Sequence, residues 1–258
     1  MFSRFTRRLR AARMAPRVWH GLSGARAYAI GDVHGRLDLL ERMLTTIDRD
    51  RRASRPARDY LILLGDLIDR GPDSRGVIER LMHLSGDMRP VFLMGNHEEM
   101  MLRILGGQPE SVHQWLTYGG YEFAQSYGVE AGRLAALSPA DAAAVIRAKV
   151  PASHLDFVEG FADSFTFGDY LFVHAGLRPG RTLDEQDTYD LRWIREDFIG
   201  DDTDHGCMVV HGHTISAEPE EMANRIGIDT GAYQTGILTA LRIEGDHRRI
   251  IAVDERDL

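Results

Sequence analysis

Three times in its first hundred residues this chain ends a short apolar run in glycine and then in side chains able to ligate metal or phosphate. The most constraining instance is Tyr60-Leu61-Ile62-Leu63-Leu64, which leads directly into Gly65-Asp66-Leu67-Ile68-Asp69-Arg70-Gly71. An unbroken apolar run of this length fits a strand buried on both faces, the habit of parallel sheet. Two carboxylates at the end of such a strand are costly to bury unless something cationic meets them. Arg70 could answer one of them in a purely structural ion pair. The same punctuation elsewhere argues for more.

Ala27-Tyr28-Ala29-Ile30 is followed by Gly31-Asp32-Val33-His34-Gly35, and Pro90-Val91-Phe92-Leu93-Met94 by Gly95-Asn96-His97-Glu98. Between these runs the apolar spacing becomes helical, with Leu37, Leu40, Met43, Leu44 and Ile47 in the first helix and Val77, Ile78, Leu81 and Met82 in a second that Ser74 caps. Three strand–loop–helix units in succession predict a parallel sheet whose carboxyl edge gathers the polar groups. Residues 99–160 read as mainly helical. Their aromatic set, Trp115, Tyr118, Tyr121 and Phe123 around Gly119-Gly120, reads as core, with a substrate cleft as the alternative. Two strands joined by a Gly168-Asp169 turn then lead to His174-Ala175-Gly176, a helical piece over 191–199 carries Arg192 and Arg195, and a further strand ends in His211-Gly212-His213-Thr214. The tail, including 225–229, reads as antiparallel strands. No internal repeat and no interdomain linker follow residue 27.

The chain has 258 residues and a net charge of −8, which argues against nucleic-acid binding. Residues 1–27 nonetheless hold seven arginines and no acid. Residues 1–25 are therefore expected to form a mobile basic arm, able to touch acidic surfaces or anionic membrane, ahead of a single catalytic domain over 26–258. No apolar run is long enough for a membrane-spanning helix, and no apolar stretch of secretory type follows the arginines. The single cysteine, Cys207, excludes internal disulfides and lies in an apolar run with no arginine six residues on, so thiolate chemistry is not expected of it. These features predict a cytoplasmic protein, a targeting role for the arm remaining open.

Carboxylate, imidazole and amide oxygen together suit manganese, iron or zinc better than calcium. A set this rich can hold two ions bridged by one carboxylate, the arrangement that activates a shared water and clamps a phosphoryl group.

The motifs Gly31-Asp32-Val33-His34-Gly35, Gly65-Asp66-Leu67-Ile68-Asp69-Arg70-Gly71 and Gly95-Asn96-His97-Glu98, in that order, resemble the phosphoprotein phosphatase family of calcineurin-like metallophosphoesterases. His174-Ala175-Gly176 and Gly212-His213-Thr214 are similar to its bacterial and phage-type serine/threonine branch. The resemblance implies an α/β fold with two central mixed β-sheets sandwiched by helices (αββα) and a helical insertion at about 99–160. It places Asp32 and His34 on a first metal, Asp66 between two, and Asn96, His174 and His213 on the second, with manganese the expected ion. It makes His97 the general acid, Asp69 the carboxylate that orients it, and Arg70 and Arg195 the phosphate-binding arginines, with Asn96 also touching substrate and Arg192 competing for the place of Arg195. His211 falls on the other face of its strand, in a supporting place. The arginine that the eukaryotic branch carries before Gly-Asn-His-Glu is replaced here by Met94, and its Tyr-Cys-Gly loop has no counterpart in 231–236. The function implied is metal-dependent phosphomonoester hydrolysis by in-line attack of an activated water, on serine/threonine phosphoproteins or alternatively phosphotyrosine. A small-molecule phosphatase or diadenosine tetraphosphate hydrolase is the competing reading, and an inactive metal-binding scaffold a third, disfavoured by the intact ligand set.

Overall fold

The computed structural model describes residues 17–257 apart from positions 56, 85 and 87. Three parallel strands come first: β1 (Ala25–Ile30), β2 (Arg58–Leu63) and β3 (Arg89–Phe92). The helices after them are α1 (Leu37–Ala53), α2 (Ser74–Met82) and α3 (Asn96–Leu105). Short helices α4 (Val112–Trp115), α5 (Tyr121–Ser126), α6 (Ala131–Leu134), α7 (Pro139–Arg147) and α8 (Ala152–Glu159) make up the insertion. The second sheet contains β4 (Ser164–Phe167), β5 (Tyr170–Val173), β6 (Met208–His211), β7 (Glu220–Glu221) and β8 (Arg225–Gly227), with α9 (Thr188–Trp193) and α10 (Glu196–Ile199) between β5 and β6. After α11 (Ala232–Thr235) the chain returns to the first sheet as the antiparallel pair β9 (Ile237–Glu244) and β10 (His247–Asp254), giving the order β10-β9-β1-β2-β3.

The period of two along each strand divides the core. Tyr28, Ile30, Leu61 and Leu63 pack against the helices, whereas Ala27, Ala29, Ile62 and Leu64 face Phe167, Tyr170, Phe172, Val210 and Ile226 of the second sheet. The outer face of that sheet, Leu171, Val173 and Val209, is covered by Leu191, Ile194 and Phe198. The result is an αββα sandwich. Because β1, β2, β3, β5, β6 and β8 are parallel within their sheets, their carboxyl ends carry the loops that build the site.

Four local expectations need correction. Segment 225–229 is not an antiparallel tail strand, since β8 lies parallel to β6, and its short antiparallel neighbour is β7. The piece over 191–199 is two helices, interrupted at Ile194-Arg195. Asp73, not Ser74, caps α2: its carboxylate accepts from the Gly76 N–H, and the Ser74 hydroxyl accepts from the Asp69 N–H at 2.9 Å instead. Of the basic arm, residues 1–16 lie outside the described residues, but 17–25 belong to the packed domain. Trp19 is buried between the sheets, with the Arg17 guanidinium 4.0 Å from its ring centre.

Candidate active site

Five non-glycine residues have positive φ among the described residues: His34, Asp66, Asp69, Arg70 and His213, at 45° to 69°. Each was singled out from the sequence. A left-handed residue with a Cβ costs roughly 1–2 kcal/mol, so its surroundings must hold it there. Glu98, fully buried, holds the central loop. Its two oxygens accept the N–H groups of Asp66 (2.8 Å), Leu67 (2.8 Å), Ile68 (3.3 Å) and Gly95 (3.1 Å). Burial, with Asp66 nearby, pushes its pKa up to about 7, against which the backbone donors favour the carboxylate. Glu98 closes the motif Gly95-Asn96-His97-Glu98, where no role was expected of it. An acid at the third position of α3, returning to the Gly95 N–H, was the available signal.

Asp66 is the centre of the arrangement. One carboxylate oxygen lies 3.6 Å from His34 Nε2 and 3.9 Å from His97 Nε2, while the other lies 3.4 Å from His174 Nε2. His174 Nε2 in turn lies 3.1 Å from the Asn96 side-chain oxygen and 3.2 Å from His213 Nδ1. Two groups follow, His34–Asp66–His97 and Asp66–His174–His213, each with ligand atoms within 4.8 Å of one another and with Asp66 common to both. Asp32 stands at the seam, both its oxygens accepting the His213 N–H at 3.1 and 3.2 Å.

These side chains fit divalent metal. His34 Nδ1 donates to the Ile68 carbonyl (2.8 Å) and His174 Nδ1 to the Leu64 carbonyl (2.9 Å), which turns the Nε2 of each toward Asp66. His213 Nε2 is buried without a hydrogen-bond partner among the described residues. Burial and the neighbouring His174 push the His213 pKa down to about 2, so it is a neutral donor. Burial opposes the charging of His174, but Asp66 first, with Asp32 and Glu98, raises its pKa to about 9. Imidazole and carboxylate oxygen in this mixture are a ligand set for borderline divalent ions.

His97 Nδ1 meets Asp69 Oδ2 at 2.6 Å, and the Trp115 indole N–H donates to the same oxygen at 2.7 Å. Burial disfavours the His97 cation, yet Asp66 and Asp69 outweigh it and hold the pKa above the ordinary histidine value. Arg70 spans the opening, with one guanidinium nitrogen 3.0 Å from His34 Nε2 and another 3.0 Å from His97 Nε2. Its own N–H donates to the Gly119 carbonyl at 3.1 Å and its Nε to the Tyr118 carbonyl at 3.4 Å, so the insertion helps hold it. Arg195, exposed at the break between α9 and α10, donates to the His213 carbonyl at 3.0 Å. Arg192 is turned elsewhere, bound to Asp163 (2.5 Å) and Glu99 (3.3 Å). His211 packs edge-on against Phe198, with ring centres 5.1 Å apart, and donates from Nδ1 to the Gly212 carbonyl.

A further residue at this edge went unread. Asp229 is buried, accepts the Gly231 N–H at 2.9 Å, and has its pKa raised to about 6 by burial and then by Asp66. It stands two residues beyond the carboxyl end of β8. Reading that strand as antiparallel concealed a sixth strand-end side chain.

Two sheets that deliver imidazole, carboxylate and guanidinium to one edge, with one aspartate shared by two ligand groups, define a metal-dependent phosphoesterase. The family model described as "Calcineurin-like phosphoesterase" matches residues 25–235, and this chain belongs to that family. It is similar to serine/threonine-protein phosphatase 1 of Salmonella typhimurium, at 30% identity over 84% of this chain and 91% of that protein. It is also similar to a symmetrical bis(5'-nucleosyl)-tetraphosphatase of an Acidovorax species, at 44% identity over 29% of this chain, a match that spans only 24% of that protein. A solved structure provisionally described as a diadenosine tetraphosphatase shares the fold, with a TM-score of 0.62 at 19% identity, covering 92% of this chain and all of that one.

Proposed function

We propose that the chain hydrolyses phosphate monoesters by in-line attack of water, with His97 as general acid. The observation that carries this reading is the alignment of Asp69, His97 and Arg70 opposite Asp66. Asp32, His34, Asp66, Asn96, His174 and His213 would hold two divalent ions, manganese being the favoured pair. When bound, the ions supply the charge that activates a water and neutralises the phosphoryl oxygens. Arg70 and Arg195 flank the ligand groups and bind the phosphate through charge-assisted contacts. Asp69 keeps the His97 ring oriented through Nδ1, so that the proton at Nε2 is the one passed to the leaving oxygen.

Phosphoserine and phosphothreonine in proteins are supported as substrates by the nearly full-length likeness to the Salmonella phosphatase. Dinucleoside polyphosphates are a second reading, favoured by a tyrosine-lined cavity next to Arg70. A cytoplasmic setting accords with the lone cysteine, and no helix among the described residues is long and apolar enough to cross a membrane.

The test is turnover of an aryl phosphate in chelator and after manganese is restored, alongside a panel of phosphopeptides and dinucleoside polyphosphates. Activity should vanish with the metal and return with it. Undiminished turnover in protein shown by elemental analysis to be metal-free would overturn the reading.

A further inference from the structure

The first turn of α3 carries polar side chains in succession, each tied to a different part of the molecule. Asn96 reaches His174, His97 reaches Asp69, and Glu98 holds the loop after Asp66. Neighbouring side chains on a helix point about 100° apart, and the next one, Glu99, is turned toward α9. One of its carboxylate oxygens accepts the Trp193 indole N–H at 3.0 Å and lies 3.3 Å from the Arg192 guanidinium.

Trp193 is the last residue of α9, and Arg195 stands two positions on. The chain leaves the helix at Ile194 (φ −60°, ψ 144°), and Arg195 itself is neither helical nor extended (φ −132°, ψ −101°). Among the described residues the Arg195 guanidinium makes one hydrogen bond, to the His213 carbonyl at 3.0 Å, and pairs with no carboxylate. Where it presents its charge therefore depends on where α9 ends. Tyr189, one turn earlier, lies almost parallel to Trp193, with ring centres 6.0 Å and planes 12° apart, and limits rotation of the indole.

We propose that Glu99 is a positioning residue for Arg195: through Trp193 it fixes the end of α9, and with it the guanidinium that meets the phosphate. The inference rests on the reading of Arg195 as a phosphate contact. An acid in the first turn of a helix also stabilises that helix through its dipole, and an ion pair with Arg192 adds little more. Arg192 has a second anchor in Asp163, beside Ala162, which bridges to Leu93 at the end of β3. The indole has none: Glu99 is its one hydrogen-bond partner among the described residues. Losing Glu99 therefore frees Trp193, whereas losing Arg192 leaves the indole bond in place.

The experiment uses the full, manganese-loaded chain. Equilibrium binding of inorganic phosphate is read beside kcat/KM for glycerol 2-phosphate and for phenyl phosphate. Trp193→Phe keeps most of the ring and removes the donor, so phosphate binding should weaken about tenfold, as expected of a hydrogen bond to a charged group. Glu99→Ala should do the same. Glu99→Gln, whose amide oxygen still accepts from the indole, should stay within about twofold of the wild type, and so should Arg192→Ala. Trp193→Phe and Glu99→Gln nearly preserve the packed volume, so their comparison stands even if Glu99→Ala does not fold. kcat/KM should fall by one factor for both esters, because the phosphate contact is affected and the leaving group is not. In an Arg195→Ala background Trp193→Phe should add nothing, the mark of two residues acting through one contact. Undiminished phosphate affinity in Trp193→Phe, or losses that add in the double variant, overturns the proposal and leaves Glu99 a structural ion pair. Phosphate binding unchanged in Arg195→Ala removes the reading of Arg195 and the proposal with it, an outcome separate from a failure at Trp193 alone.

Discussion

The indole N–H of Trp115 donates to Asp69 Oδ2 at 2.7 Å, so a residue of the helical insertion steadies the carboxylate that orients His97. Trp115→Phe keeps most of the buried ring and deletes that one donor. A hydrogen bond to a charged group contributes about 1.5–3 kcal/mol, so kcat should fall on the order of tenfold or more. The fall should be steeper for alkyl than for aryl phosphates, because only the former depend heavily on leaving-group protonation. Equal loss across leaving groups would assign Trp115 to packing alone.

His97→Asn should lower kcat by roughly 10²–10⁴ on an alkyl phosphate, the usual contribution of a positioned acid, and by much less when the leaving group is a good one. Metal content, measured by elemental analysis, should stay near two ions per chain. Because His97 lies within 3.9 Å of Asp66, loss of one ion would instead make it a ligand.

Arg195 and Arg192 are three positions apart and should behave differently. Arg195→Ala should weaken phosphate inhibition and reduce kcat/KM by one to two orders of magnitude, as expected for a lost charge-assisted contact. Arg192→Ala breaks the link to Asp163 and Glu99 and should show mainly as a lower Tm. The reverse ranking in a kinetic assay would place Arg192 on the phosphate.

His211 gives the fold a pH dependence that can be isolated. Burial lowers its pKa to about 4, against an ordinary value of 6.5 in the unfolded chain. Between those values the unfolded state binds more protons, so the contribution is fully present above about pH 6.5 and is lost as pH falls toward 4. Relative to His211→Gln, the wild type should lose roughly 2–3 kcal/mol between pH 7 and pH 4.5. Denaturant midpoints of both proteins at the two pH values would show it. Parallel lines would mean that the ring is solvated.

The parts of the site legible in the sequence were those announced by a change of chemistry at a strand end. Asp32, Asp66, Asn96 and His174 each follow an apolar run at once, and their convergence follows from parallel pairing. Asp229 and Glu98 were harder for different reasons. The first depends on strand direction, which a three-residue strand does not encode, and the second acts through backbone N–H groups that carry no residue identity. Trp115 and Tyr118 share a helical face by spacing alone, and spacing does not tell the buried ring from the exposed one. Trp19 was lost for a simpler reason: a single aromatic after a run of arginines has no periodicity to betray its burial.

The bond from the Arg70 N–H to the Gly119 carbonyl has a practical corollary for engineering. Segment 99–160 looks like a removable accessory, the obvious piece to graft from one relative to another in order to exchange substrate preference. It is not autonomous. Its kink at Gly119 and the loop bearing Arg70 interlock through main-chain atoms, and a transplanted insertion that places Gly119 differently will displace the guanidinium as well. Preference and rate should therefore change together in chimaeras of this region, unless the Asp69-Arg70-Gly71 loop travels with the graft.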